Sequence, residues 1–263
     1  MSKNSDVILQ QHDGAVCWIS LNRPERLNTV TPELYEALYE KVAAAADDPD
    51  VRCVVLTGAG KAFCAGRDLK QPPMPAAASS GAWLEQRQDY LRRHVRIAHA
   101  LHEMPKPTIA MINGACAGAG LSFAGACDLR IASTDALMTS AFLKAGLSGD
   151  MGGTWFWTRI LGAGKARRLY LLSERFNAQE AEAFGLVDKV VPAEQLRAKV
   201  AEIANDLVAA STQTLRYAKA ALNAAEDGHL EAILEFEAMA MAFSGIDAAA
   251  RAGEIRQGFD PAG

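Results

Sequence analysis

Apolar and polar positions change rhythm several times along this chain, and each change predicts an element. Val7 to Gln11 and Ala15 to Leu21 flank Asp13-Gly14, which predicts a β-hairpin closed by a type I′ turn. Asn22 to Thr29 is a polar loop around Pro24. Thr31 can cap the following helix, with Pro32 in its first position, Glu33 in its first turn, and Leu34, Leu38 and Val42 on one apolar face. Arg52 to Thr57 reads as a short strand. The small residues of Ala62 to Leu69 then predict a turn that opens a helix. Three prolines and an Ala/Ser stretch between Gln71 and Gly81 predict a mobile loop. From Trp83 to Glu103 the period is helical, with Leu84, Leu91, Val95 and Ala98 on one side and Arg87, Arg92, Arg93 and Arg96 elsewhere.

The stretch from Lys106 to Trp155 is different. No charge occurs between Pro107 and Cys127. Thr108 to Ile112 ends at the turn signal Asn113-Gly114, small residues alternate with glycine through Gly120, and Leu121 to Cys127 reads as a buried helix. This run is long enough for a bilayer, but its Pro, Asn and glycines favour a buried strand, turn and helix. Asp128 to Ser133 and Leu137 to Ser140 read as strands, and Gly152-Gly153 precedes a helix through Ile160. Gly164 to Ser173 is a further helix. Asn177 and Glu180 form a capping-box pattern for the helix that ends at Gly185, and Leu186 to Val191 is the last strand. Helical periods alone follow: Leu196, Val200, Ile203 and Leu207 share a face, as do Leu230, Leu234 and Met241. The expected organisation is therefore an α/β core over residues 1–192 and a helical region over 193–263. No internal repeat stands out in the residues.

Composition adds exclusions. The chain has 263 residues, half of them apolar, and a net charge of −4. No basic block suggests a nucleic-acid surface. Cys17, Cys53, Cys64, Cys116 and Cys127 lack metal-type spacing and sit in or beside apolar runs, which predicts buried, reduced thiols in a cytoplasmic protein. Residues 1–6 carry no apolar core of a signal peptide. Neither a Gly-x-Ser-x-Gly elbow nor a metal-spaced histidine pair occurs.

Two corners hold candidate chemistry, Phe63 to Leu69 and Asn113 to Leu121. Each can aim a bare backbone N–H at one spot, and together they would suit the oxygen of a thioester becoming an enolate. Taken singly, each is better read as close packing by small residues. Asp150, among glycines and near Trp155 and Trp157, is a proton carrier if an apolar pocket raises its pKa, or else the N-cap of the next helix.

The chain resembles the enoyl-CoA hydratase/isomerase (crotonase) family. The resemblance rests on Leu21 to Asn28, Phe63 to Leu69, Ile112-Asn113-Gly114 with Ala117 to Gly120, Cys127 to Ala132, Gly146 to Thr154 and Ala181 to Val187. It implies a spiral of ββα turns, a C-terminal helical trimerisation region, a homotrimer or homohexamer, and an acyl-CoA substrate. Coenzyme A would enter as part of that substrate, with no separate cofactor, metal, membrane or nucleic-acid partner. The thioester oxygen would be held by the backbone N–H groups of Arg67 and Ala119. Substrate contacts are expected from Ala65, Asp68, Leu69, Lys70, Arg26, Gly118, Ser122, Phe142 and Trp155, with the charges of Arg67, Lys70 and Arg26 facing CoA phosphates.

The chain departs from the hydratase pattern at two places. The two hydratase glutamates would fall at Ser122 and Phe142, and neither is an acid. Asp150 instead matches the single aspartate of the isomerase-like branch, the phenylacetyl-CoA ring-epoxide and Δ3,Δ2-enoyl-CoA isomerase type. A dehalogenase branch with an aspartate there pairs it with a tryptophan at the Phe142 position and ranks lower. The expected function is an acyl-CoA isomerase with Asp150 as acid and base. A hydratase using Asp150 comes second, and a non-catalytic CoA-thioester binder last. Trp83, Trp155, Trp157 and Phe142 are either core residues or the lining of a pocket for aromatic acyl groups.

Overall fold

Among the described residues ten strands, too short to stand alone, assemble into two sheets. A computed structural model of the chain describes residues 6–68 and 81–257. The larger sheet takes β1 (Ile8–Asp13), β2 (Val16–Leu21), β3 (Cys53–Gly58), β5 (Thr108–Ile112), β7 (Leu129–Ser133) and β10 (Lys189–Val191), in that order. All its neighbours are parallel except the β1–β2 hairpin. The smaller sheet takes β4 (Ala62–Cys64), β6 (Ala115–Ala117), β8 (Leu137–Thr139) and β9 (Phe176–Asn177). Helices follow in chain order: α1 (Pro32–Asp47), α2 (Gly81–Glu103), α3 (Ala119–Ala126), α4 (Gly153–Leu161), α5 (Ala163–Leu172), α6 (Ala178–Phe184), α7 (Leu196–Ala209), α8 (Thr212–Ala225) and α9 (Leu230–Gln257).

The order repeats. β3-β4-α2, β5-β6-α3 and β7-β8-α4 each place one strand in each sheet and then a helix, so the chain climbs as a spiral of ββα turns. Parallel strands buried on both faces read as continuous apolar runs, because alternate residues enter opposite cores. Cys17, Ile19, Val54, Leu56, Ala110 and Ile112 face the main core with α1 and α3. Val16, Trp18, Cys53, Val55, Ile109 and Met111 face the other side, where Leu196, Val200 and Ala204 of α7 cover them.

Several local expectations hold in detail. Thr31 accepts a hydrogen bond from the Leu34 N–H at 3.2 Å, with Pro32 at the start of α1. Asn177 and Glu180 form a reciprocal capping box on α6, which Gly185 ends in the left-handed region. The uncharged run at 107–127 is a strand, a second strand and an eight-residue helix. Among the described residues no helix is long and apolar enough to cross a membrane. All five cysteines are buried and free.

Others need correction. The β1–β2 turn is centred on Gly14-Ala15, and Gly14 alone has positive φ. A type I′ turn needs two such residues, so this is the II′ pattern. Residues 65–68 open no helix: Gly66, at φ +83, turns the chain so that Arg67 bridges Val30 in parallel. On α2 the inward face is His94, Ile97, Ala98 and Leu101, while Leu84 and Val95 are exposed. His94 wins its buried place by stacking on Tyr35, with ring centroids 4.5 Å apart, and meeting Tyr90 edge-on. Leu230, Leu234 and Met241 share exposure, at 70%, 54% and 74%. The loop expected between Gln71 and Gly81, together with Leu69 and Lys70, lies outside the described residues up to Gly81, where α2 begins.

α8 is latched to the core by a buried cation. Lys219 Nζ reaches Asp128 at 2.8 Å and the carbonyls of Lys106 and Leu101 at 3.2 and 3.3 Å. Asp128 in turn accepts the Thr108 N–H at 2.7 Å and Thr108 hydroxyl at 2.9 Å, so β5, β7 and α8 converge on one carboxylate.

Candidate active site

The two corners come from consecutive turns of the spiral, and they touch. A Cβ built on Gly66 would lie 2.9 Å from the Ala117 carbonyl oxygen and 3.6 Å from Gly118 Cα, and one built on Gly118 would lie 3.8 Å from Gly66 Cα. Both glycines have positive φ, +83 and +52, which side chains resist. The residues that follow them are Arg67 and Ala119. In the bridge to Val30, the Val30 N–H donates to the Gly66 carbonyl at 2.8 Å. A parallel bridge of that register bonds through the residues flanking Arg67, leaving its own N–H pointing elsewhere. Ala119 is the first residue of α3, where N–H groups lack partners in the helix.

Two asparagines, Asn28 buried and Asn113 half-buried, hold the first corner. Asn28 Nδ2 donates to the carbonyls of Ala59 and Ala62 at 2.9 and 2.8 Å, and its oxygen accepts the Arg23 N–H at 2.8 Å. Asn113 Nδ2 donates to Gly58 and Gly60 carbonyls at 2.8 and 2.9 Å. Asn28 pays φ 55 for its place, a conformation asparagine tolerates better than most residues.

Arg67 and Ala119 open on a cavity of about 520 Å³. Ala65, Gly66 and Gly118 line it from the corners, Val30, Thr31 and Tyr35 from the start of α1, and Arg87, Tyr90 and Leu91 from α2. Phe142 and the segment Leu147 to Asp150 close the far wall. Asp150 is the sole acid among the described lining residues.

Asp150 does not cap α4, whose N-cap is Gly152. Its Oδ1 accepts the Met151 N–H at 2.7 Å, and its own carbonyl accepts the Ser122 hydroxyl at 3.0 Å and the Gly153 N–H at 3.1 Å. Met151 is held at φ 53 and Gly152 at φ 70 while Met151 is buried, so the turn is set by its surroundings. Burial pushes the Asp150 carboxyl above its ordinary pKa; the Met151 amide and the Arg87 charge pull it partly back. Tyr35 is pushed well above the usual phenol value, first by burial and then by the Asp150 charge.

Of the expected substrate contacts, Ala65, Gly118 and Phe142 line the cavity. Arg26, Asp68, Ser122 and Trp155 do not. Asp68 is buried against Arg26 at 3.3 Å and Arg23 at 3.9 Å, so the Arg26 charge is turned to an internal partner. Ser122 lies fully buried behind Asp150. Trp155 packs on His102 and Phe156 under the Arg159 guanidinium, and Trp157 fills the core against Gly125. The aromatic lining is instead Tyr35, Tyr90 and Phe142. Phe142 is stacked on Tyr170 at 6.0 Å, and the Tyr170 hydroxyl is buried beside Ser122 with no hydrogen bond of normal geometry. Its pKa is pushed up to about 12, chiefly by burial.

The enoyl-CoA hydratase/isomerase family model matches residues 11–256. The chain belongs to that family. It is 36% identical over 235 residues to the 1,2-epoxyphenylacetyl-CoA isomerase of Escherichia coli (strain K12), covering 88% of this chain and 87% of the relative. It is also 36% identical over 217 residues to the (E)-benzylidenesuccinyl-CoA hydratase of Thauera aromatica, with 82% of each covered. Its fold matches an enoyl-CoA hydratase from Bacillus anthracis with a TM-score of 0.82 at 33% identity over 90% of each chain. A family structure from Thermobifida fusca YX, solved in complex with CoA, matches with a TM-score of 0.83 at 26% identity, covering 93% of this chain and 95% of that one. The relatives of this family member thus carry both isomerase and hydratase names.

Proposed function

We propose that the chain is an acyl-CoA isomerase that moves a double bond through an enolate. The observation that carries this reading is the single described acid, Asp150, in a cavity whose other wall is the meeting of the Arg67 and Ala119 corners. The thioester oxygen lies between those two N–H groups. Asp150 removes a proton from the carbon beside the carbonyl, the C–H electrons pass into the conjugated enolate, and negative charge collects on the oxygen. The carboxylic acid so formed returns the proton two carbons further on, and the double bond ends conjugated with the thioester. No water is consumed, so one carrier suffices. Two such donors are worth several kcal/mol to the developing oxyanion, of the order of 3 for one. A raised pKa makes Asp150 a better proton acceptor once ionised.

Coenzyme A enters as part of the substrate and no further cofactor is assigned. The exposed apolar row of Leu230, Leu234 and Met241 on α9 supports assembly through the C-terminal helices, as a trimer or hexamer, with residues 1–192 carrying the site. The five free thiols fit a reducing cytoplasm.

A hydratase using Asp150 is the second reading, favoured by the Thauera aromatica relative. Turnover of 3-enoyl-CoA and 2-enoyl-CoA in heavy water containing oxygen-18 separates the two. Conversion of 3-enoyl-CoA to 2-enoyl-CoA without oxygen-18 supports the isomerase, with deuterium in product to the extent that the proton on Asp150 exchanges with solvent. Oxygen-18 incorporated at the faster rate overturns it in favour of hydration.

A further inference from the structure

The cavity holds a cation that the isomerisation does not use. Arg87 lines it from α2 beside Tyr90, and its charge is felt at Asp150 across the cavity. Its guanidinium sits 4.9 Å from the centre of the Tyr90 ring. Among the described residues Arg87 makes no ion pair: the acids whose charge is felt at this end, Asp150 and Glu36, stay beyond ion-pair distance. Residues 69–80 contain no Asp or Glu. Of the other arginines of α2, Arg92 pairs with Asp89 at 3.1 Å, Arg96 donates to the Tyr39 hydroxyl at 2.8 Å, and Arg93 is not among the described lining residues.

We propose that Arg87 reads a carboxylate on the acyl group, so that the preferred substrates are acyl-CoA thioesters with a second, anionic end. This rests on the reading that the thioester lies between Arg67 and Ala119. The anion belongs to the acyl group because Arg87 lines the same cavity as Asp150, within reach of its charge, and the reacting carbons lie beside Asp150. The phosphates of CoA are separated from the thioester sulfur by the whole pantetheine arm. Tyr90 restrains the guanidinium by stacking, which lowers the entropy lost when it pairs with a planar carboxylate.

The test uses saturated ligands, so that it does not depend on turnover. Succinyl-, glutaryl-, adipoyl- and suberoyl-CoA are titrated calorimetrically against butyryl-, valeryl-, hexanoyl- and octanoyl-CoA, with free CoA as reference. The proteins are wild type, Arg87→Met and Arg87→Lys. A charge-assisted pair predicts that at least one dicarboxylic ligand binds wild type roughly tenfold to a hundredfold tighter than its neutral counterpart. Arg87→Met abolishes that ratio, Arg87→Lys keeps part of it, and free CoA binds all three alike. Equal affinities within every pair overturn the proposal while leaving the isomerase reading intact. A loss of free-CoA affinity in Arg87→Met overturns it by assigning the charge to a phosphate. Failure of every acyl-CoA to bind removes the active-site reading and this inference with it.

Discussion

Replacing Asp150 by Asn separates the proton carrier from everything around it. The amide keeps the carboxylate's shape, and its oxygen can still accept the Met151 N–H now bonded at 2.7 Å, so the turn is preserved. What disappears is basicity. A positioned base contributes roughly 10²–10⁴-fold, or about 3–5 kcal/mol of barrier at about 1.36 kcal/mol per decade. The amides of Arg67 and Ala119 remain, so a residual rate is expected. Stability moves the other way. Because burial raises the Asp150 pKa, the folded chain holds that proton more tightly than the unfolded one. The resulting stabilisation is complete below the unfolded pKa and is lost as pH rises through the folded pKa. At pH 8 the Asn variant therefore melts no lower than wild type. The kcat/KM of wild type declines as pH falls through the raised pKa, since only the carboxylate accepts a proton, and the Asn variant lacks that limb. The assay is conversion of 3-enoyl-CoA to the conjugated 2-enoyl-CoA, followed by ultraviolet absorbance across pH, with melts alongside. Full activity in Asp150→Asn refutes the mechanism. Lost activity with a melt lowered by several degrees assigns Asp150 a structural role instead.

Gly66→Ala places a methyl group 2.9 Å from the Ala117 carbonyl oxygen at φ +83, and the displaced corner is expected to lower kcat/KM by about 10²-fold or more, as for loss of one oxyanion donor; steady-state kinetics at unchanged activity would contradict the paired-corner geometry. Lys219→Met strands Asp128 without its 2.8 Å partner and is expected to cost about 3–5 kcal/mol in urea unfolding, as for breaking a buried ion pair; a cost below about 1 kcal/mol would show that the latch is dispensable. Met241→Glu charges the exposed apolar row of α9 and is expected to shift the protein to smaller species in light scattering, whereas an unchanged mass would place assembly elsewhere.

How much could be read from the residues differs by element. Thr31-Pro32 and Asn177–Glu180 were legible because a cap is a local transaction between a side chain and the next turn. The larger sheet was legible from its apolar runs. Of the smaller sheet only β8 was legible, as Leu137 to Ser140; β4 and β6 have three residues each and β9 two, too few for any period. The inward choice of His94 over Val95 on α2 depends on Tyr35, some sixty positions earlier, and no local pattern encodes it. The same distance hid Tyr35, Arg87 and Tyr90 as cavity residues: each is an ordinary helical position until α1 and α2 meet the glycine corners. Asp150 and the two corners were visible as unusual sequence, with their glycines spaced for backbone approach. The ion pair of Arg26 with Asp68 crosses a turn that the sequence does not show.

The contact between Gly66 and Gly118 sets what mutation can and cannot reach in this cleft. Every amino acid but proline brings the same N–H to positions 67 and 119, so drift in the side chains there leaves that pair of donors in place. The side chains at 122, 142 and 150 enjoy no such protection. A scaffold divided in this way can keep its hold on one kind of molecule across long divergence while exchanging one reaction for another.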